Sequence, residues 1–111
     1  MAKNFKQEGE VVVLTAPYAR TSGQGALVGA LFGVALVDVA ISVDAAFAIE
    51  GVFELAKTSA QAWAQGAKIY WDDTNKVCTT TATSNTFIGN AMAAAVNPSS
   101  VGLVRLNGAP A

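Results

Sequence analysis

The chain has 111 residues, of which 52% are hydrophobic and only 14% charged, with a net charge of −1. That length suits one domain with a small core, and the charged share falls well below the roughly 25% usual for soluble domains, so much of the surface is expected to lie against other protein. Seven scattered Lys and Arg give no footprint for a phosphate backbone, and no His with a single Cys removes an intrachain disulfide, the common zinc-ligand sets and the usual nucleophile–base pairs.

Residues 1–9, MAKNFKQEG, are polar apart from one anchor, Phe5, and lack the apolar core of a secretory signal. They read as an extended arm, with too little apolar surface to order except against a neighbouring subunit. Residues 10–108 are then the folded domain and 109–111 a tail. EVVVLT, residues 10–15, is rich in β-branched residues and reads as the first strand, which Pro17 ends. PYARTSGQG, residues 17–25, is a turn-rich loop. It lacks the Gly-Lys-Ser/Thr ending of a phosphate cradle.

Residues 25–55 are the most apolar part of the chain. A spanning helix needs about 20 apolar residues. Here Asp38 and Asp44 interrupt the run, at about 2.5–3.5 kcal/mol each in a bilayer centre, so a buried position in a folded domain is expected and no membrane partner. Two or three strands are expected here. From Ala45 the residues alternate, with Phe47, Ile49, Phe53 and Leu55 on one side and Glu50 and Glu54 on the other. That period of two predicts a half-buried strand. In residues 27–36 both alternating sets are apolar, which predicts a run buried on both faces, with Gly29 and Gly33 marking a bend or a close neighbour.

KTSAQAWAQG, residues 57–66, is the one helical candidate, capped by Thr58 or Ser59 and stopped by Gly66. AKIYW and VCTTT, around the turn DDTNK, predict a hairpin over residues 67–81. Asp72 and Asp73 have no further carboxylate at calcium-loop spacing, so they read as turn residues. Residues 86–96 predict a strand bent at Gly89, and residues 101–106 the last strand. The expected fold is all-β: a small single-domain barrel or sandwich of about seven or eight short strands, with one short helix and an extended arm.

No catalytic, metal-binding or cofactor-binding constellation emerges. Glu50 and Glu54 would lie roughly 13 Å apart along a strand, beyond the span of glycosidase carboxyl pairs. Cys78, inside a strand, reads as a small buried hydrophobe. Trp63, Tyr70 and Trp71 could form a stacking platform, so a small β-barrel binding module for a carbohydrate or protein ligand is the alternative reading. With so little positive charge, core or interface packing is the plainer role for these rings.

Read in order, AKNFKQEGEVVVLTAP, GALVGALFGVAL, AIEGVFELAK, QGAKIYWDDTNKVCTTTAT, SNTFIGNAM and VGLVRLNG resemble the tailed-phage capsid cement, or head decoration, proteins. Ala56 departs from the pattern, where the family often has Pro before Lys57. The resemblance implies a structural, non-enzymatic protein on the outer surface of a phage head. It would be made in the bacterial host cytoplasm, sit at junctions between major capsid protein subunits, commonly as a homotrimer, and reinforce the shell against internal DNA pressure. Neither nucleic acid nor a cofactor is an expected partner. Interface candidates are Lys3, Asn4, Phe5 and Lys6 in the arm, Tyr18, Arg20 and Gln24 in the first loop, and Trp63.

Overall fold

Alternation of side chains governs the architecture. The computed structural model describes residues 11–107. The arm at residues 1–9, and with it Lys3, Asn4, Phe5 and Lys6, lies outside the described residues, as does the tail at 109–111. Nine strands follow one another: β1 (Val11–Thr15), β2 (Gly25–Val28), β3 (Leu31–Ala35), β4 (Asp44–Ala48), β5 (Glu50–Ala56), β6 (Lys68–Asp72), β7 (Val77–Thr79), β8 (Thr86–Ala91) and β9 (Val101–Asn107). They form a four-stranded sheet in the order β1-β4-β3-β2 and a five-stranded sheet in the order β5-β9-β8-β6-β7, with every neighbouring pair antiparallel.

The five-stranded sheet rolls up until its two edge strands meet. Lys57, just past β5, forms a parallel bridge with Cys78 of β7, and the Thr58 N–H donates to the Cys78 carbonyl at 2.9 Å. Closure gives the barrel an inside and an outside. On β9, Gly102, Val104 and Leu106 point inward, while Val101, Leu103 and Arg105 point out. Ile69 and Trp71 of β6, Cys78 of β7 and Ile88 of β8 fill the interior. Phe32 and Val34 of β3 join them from the other sheet, where the Phe32 and Trp71 ring centroids lie 4.9 Å apart. The opposite face of the four-stranded sheet packs Ala26, Ala35 and Phe47 under Ala16 and Val39. β3 is therefore buried on both faces, as its doubly apolar pattern predicts.

Four expectations need correction. Residues 27–36 are not one strand: the chain turns at Gly29–Ala30, with Gly29 at φ +61°, and β2 pairs back on β3. Residues 45–55 are not one strand either, because β4 and β5 lie in different sheets with Ile49 between them. These two splits bring the expected seven or eight strands to nine among the described residues. Residues 57–66 form no helix. The Trp63 N–H donates to the Ala95 carbonyl and the Ala95 N–H to the Trp63 carbonyl, at 2.9 and 3.0 Å, so Trp63 is pinned as a bridge. The last apolar strand signal ends at Ala91 rather than Val96, since residues 92–100 must loop out to meet Trp63.

Gly89 shows how tightly the barrel closes. Register shifts beside it, between Ile69 and Tyr70, leaving Ile88 as the extra residue of a bulge. A Cβ at Gly89 would overlap the Arg105 carbonyl oxygen and stand 2.8 Å from the carbonyl carbon. Both obstacles are backbone, so a side chain cannot be relieved by a rotamer change. Gly89→Ala is expected to lower stability by about 3 kcal/mol or more. Gly23→Ala, at φ +90° but in open space, should lose only about 1 kcal/mol. Urea midpoints of the two variants check this; equal losses would contradict the packing account.

Candidate functional site

The loop between β1 and β2 carries three of the expected contact residues, and the structure ties it down along its length. The Ser22 N–H donates to Asp38 Oδ1 at 2.8 Å, and the Thr21 N–H to Gln24 Oε1 at 2.9 Å. The Gly23 N–H donates to the Ala35 carbonyl and the Ala35 N–H to the Gln24 carbonyl, at 2.8 and 2.9 Å. Asp38, at one end of the connection between β3 and β4, therefore serves as a turn tie, and Asp44 accepts a bond from the Thr15 hydroxyl at 2.6 Å.

Tyr18 is the hub. Its hydroxyl donates to Asp73 Oδ1 at 2.6 Å and accepts the Leu27 N–H at 3.1 Å. Asp73 Oδ1 also accepts the Trp71 indole N–H at 2.9 Å. The Tyr18 ring lies near two cations, with Arg20 Cζ 5.0 Å and Lys76 Nζ 4.3 Å from its centroid. Lys76 also faces the Asp73 carboxylate at 3.9 Å and donates to the Asp73 carbonyl. Arg20 donates through Nη1 to the Gly25 carbonyl at 3.3 Å and through Nε to the Ala19 carbonyl at 2.8 Å. The cluster thus bolts the first loop and the edge of β2 to the β6–β7 turn of the barrel.

That turn is organised by Asp72, whose carboxylate accepts from the N–H groups of Thr74 and Asn75 and from Asn75 Nδ2. Those bonds hold its pKa low, the Asn75 side chain contributing most. This is the turn chemistry expected of DDTNK. Among the described residues, no group of three or more His, Cys, Asp or Glu is gathered to hold a metal ion. No helix among them is long and apolar enough to cross a membrane.

The concave surface here is modest. A recess of about 70 Å³ runs between Arg20, Gln24, Trp71 and Lys76, and a shallower hollow of about 420 Å³ lies beside Arg20, Gln24 and Asp38. Tyr18, Arg20 and Gln24 are therefore brought together on one side of the molecule.

Trp63 is elsewhere and only 3% exposed, with its indole N–H on Gln61 Oε1 at 3.0 Å. Trp71 is 2% exposed, and Tyr70 is half-buried against Phe87 with centroids 5.6 Å apart. These three rings are packing elements and form no open platform for a sugar or base. Gln61 was not singled out by sequence reasoning, yet its Oε1 also accepts the Thr80 N–H at 2.8 Å and its Nε2 donates to the Thr79 hydroxyl at 3.2 Å. Lys57 was missed as well. It is buried, and its Nζ donates to the carbonyls of Thr58 and Ser99 at 2.8 and 3.4 Å, beside the Trp63 ring at 5.7 Å. Both residues are polar within a segment that reads as a helix, so nothing local marks them as core supports.

Large apolar side chains remain exposed in three places. Val11 and Val13 stand on β1, while Leu36, Val37, Ile41 and Val43 lie in the β3–β4 connection. Val52, Val101 and Leu103 face outward from the barrel, next to Val96 and a groove of about 200 Å³ that Glu54 helps line.

Burial, and then the bond to Asp73, push the Tyr18 hydroxyl up from 10.0 to about 12. Burial alone pushes the Cys78 thiol, wholly enclosed in the core, from 9.0 to about 12. Burial opposes ionisation of Asp73 too, but bonds from Tyr18 and Trp71 and the nearby Lys76 and Arg20 outweigh it and hold its pKa below 3.8. The signs follow from linkage. Raised groups stabilise fully below their unfolded pKa and lose that contribution as pH rises, from 9.0 for Cys78 and from 10.0 for Tyr18, toward 12. The Asp73 contribution is lost at the acid end, below 3.8.

Tyr18→Phe, which removes two hydrogen bonds, is expected to cost about 1–2 kcal/mol at neutral pH. It should also flatten the fall of stability above pH 10, and Cys78→Ala the fall that starts near pH 9. Denaturant midpoints from pH 7 upward test this; an unchanged alkaline limb in both variants would contradict it.

Comparison with protein-family models gives a match to the family described as phage cement protein, over residues 6–106. Neither the curated proteins nor the solved structures contain a match.

Proposed function

The chain belongs to the phage cement protein family, and from that premise we propose that it binds the outer surface of a phage head at junctions between major capsid protein subunits and stabilises the shell against internal DNA pressure. Membership itself gives a structural, capsid-associated role in the virion. The finer reading adds the major capsid protein as partner, assembly as a homotrimer, and synthesis in the host cytoplasm.

One observation carries this reading: the amount of apolar side chain that the fold leaves outside after its core is complete. Val13 is 61% exposed, Val96 73% and Ile41 60%, on separate parts of the surface. Scattered single apolar residues are ordinary, but rows on a strand, on a barrel face and along one connection are what protein interfaces use. Several weak patches on one small molecule suit a lattice, in which each copy touches its own mates and several shell subunits, and affinity comes from the sum.

Tyr18, Arg20 and Gln24 are proposed as shell contacts, since the hydrogen bonds that tie their loop lower the ordering entropy of binding. The arm residues Lys3, Asn4, Phe5 and Lys6 are proposed to contribute, with Phe5 as anchor. Trp63 contributes indirectly, by holding the segment 92–100 through its bridge to Ala95.

Purified protein added to heads of its own phage that lack it should bind and raise the temperature at which they release DNA; no binding and no thermal effect would overturn the reading. Leu103→Asp, which places a charge on the exposed barrel face without touching the core, should weaken trimer formation or head binding by about tenfold or more. Removal of residues 1–9 should weaken head binding as well. Sedimentation and head-binding titrations read both outcomes, and unchanged binding would remove the barrel face or the arm from the interface.

A further inference from the structure

The edge of a β-sheet presents backbone N–H and C=O groups without partners, and proteins blunt such edges with charge, proline, bulges, short strands or a covering group. The edges of this fold belong to β1, β2, β5 and β7, and they are not treated alike. β5 and β7 meet through the Lys57–Cys78 bridge, and the exposed part of β5 carries Glu50 and Glu54. β2 is short, and side chains cover its outer side: Tyr18 Oη accepts the Leu27 N–H and Arg20 Nη1 donates to the Gly25 carbonyl.

Among the described residues, β1 has none of these devices. Its sequence, VVVLT, holds no charge and no proline, and its register with β4 runs unbroken from Val11↔Ala48 to Thr15↔Asp44. Which of its groups are free follows from the ladder. The Ala16 N–H donates to Val43 on the β4 side, and the Leu36 N–H donates to Ala46, so Ala46 faces β3 and its neighbours Ala45 and Phe47 face β1. Val12 and Leu14 therefore bond to β4, and the N–H and C=O groups of Val11, Val13 and Thr15 point away from the sheet, because successive residues alternate. Among the described residues nothing pairs with them. Val11 and Val13 are also exposed at 41% and 61%, so the edge offers a ladder and an apolar row together.

We propose that this edge of β1 receives a strand from the capsid shell: an extended, uncharged segment of a capsid subunit pairs along Val11–Thr15 and packs apolar or β-branched side chains beside Val11 and Val13. The inference rests on the capsid-associated reading. Main-chain hydrogen bonds supply affinity, and the Val row selects the side chains of the incoming segment. Two features favour the shell as the source. β1 runs through Ala16 directly into the loop of Tyr18, Arg20 and Gln24, so an added strand and that loop address the same partner. Pairing of β1 with its own copy would be a two-fold contact, which does not fit the proposed trimer, and the exposed part of β5 carries Glu50 and Glu54, which disfavour it as the incoming strand.

Hydrogen exchange on the segment 11–15, measured by mass spectrometry with the full chain free and bound to its phage's heads, tests this. The outward amides of Val11, Val13 and Thr15 should exchange fast in the free protein, those of Val12 and Leu14 being held by β4, and should slow at least tenfold on heads. Val13→Pro removes an outward N–H and leaves the β4 bonds intact; Val13→Lys keeps the N–H and adds a blunting charge. Each should weaken head binding about tenfold while the far-UV spectrum and melting transition of the free protein are retained. If wild type binds heads but those outward amides stay fast and Val13→Lys binds as tightly, the strand-addition proposal fails while the capsid reading stands. If wild type does not bind heads, the capsid reading itself fails. Slow exchange already in the free protein overturns the proposal in favour of a second copy when the mass is dimeric, and of the chain's own terminal residues when it is monomeric.

Discussion

Ile49 is the only residue between β4 and β5, and those strands belong to different sheets. A one-residue crossing leaves the two sheets almost no freedom to move apart. It also explains why the apolar face keeps its phase: Phe47 packs in one cluster, Leu55 in the other, and Ile49 is buried between them. The change of direction just after it falls on Gly51, at φ +115°, a conformation that side-chain-bearing residues rarely adopt. Gly33 lets β3 lie close to this crossing, since a Cβ there would stand 3.0 Å from Phe47 Cβ and 3.5 Å from Ile49 Cγ2.

With the sheets joined so closely on one side, the other side still needs a tie. Phe32 against Trp71 provides an apolar one, and the Tyr18–Asp73 hydrogen bond a polar one. Tyr18 has a second task, because the same hydroxyl accepts the Leu27 N–H and so covers part of the β2 edge. Bonds shared at one oxygen strengthen each other when water is partly excluded. The loop around Tyr18 is thereby fixed as an extension of the barrel surface, which suits a residue cluster that must present a defined shape to a partner.

Much of this was legible in the sequence. The hairpin around DDTNK, the burial of Cys78, the double burial of residues 31–35 and the inward set Phe47, Ile49 and Leu55 all follow from period and composition. Three things did not. Gly29–Ala30 reads as part of an apolar run, because the pair makes a tight, exposed turn from Gly and Ala without any polar residue to mark it. Ile49 carries no mark of a sheet change, since a single buried residue continues the alternation on either side. Residues 57–66 have helix-forming composition, but Trp63 buries far more surface inside the barrel than a two-turn helix could hide. Gly102 admits its ring, since a Cβ there would press on Trp63 Cε3 at 2.7 Å. Tertiary packing overrides the weak local preference. Of the candidate contact residues, the first-loop trio is gathered on one surface, while for Trp63 composition left core and interface packing open and the structure places it in the core.

Among its described residues the fold leaves apolar rows on the surface and one unblunted strand edge, and the chain belongs to a family of phage cement proteins. Those features suit a molecule completed by its neighbours in a shell. A reconstruction by electron cryomicroscopy of the head of its own phage tests that claim most directly. The account predicts density for this two-sheet domain on the outer surface, over junctions between capsid subunits, with its apolar rows turned toward protein. Heads without such density, or density that leaves those rows facing solvent, would contradict it.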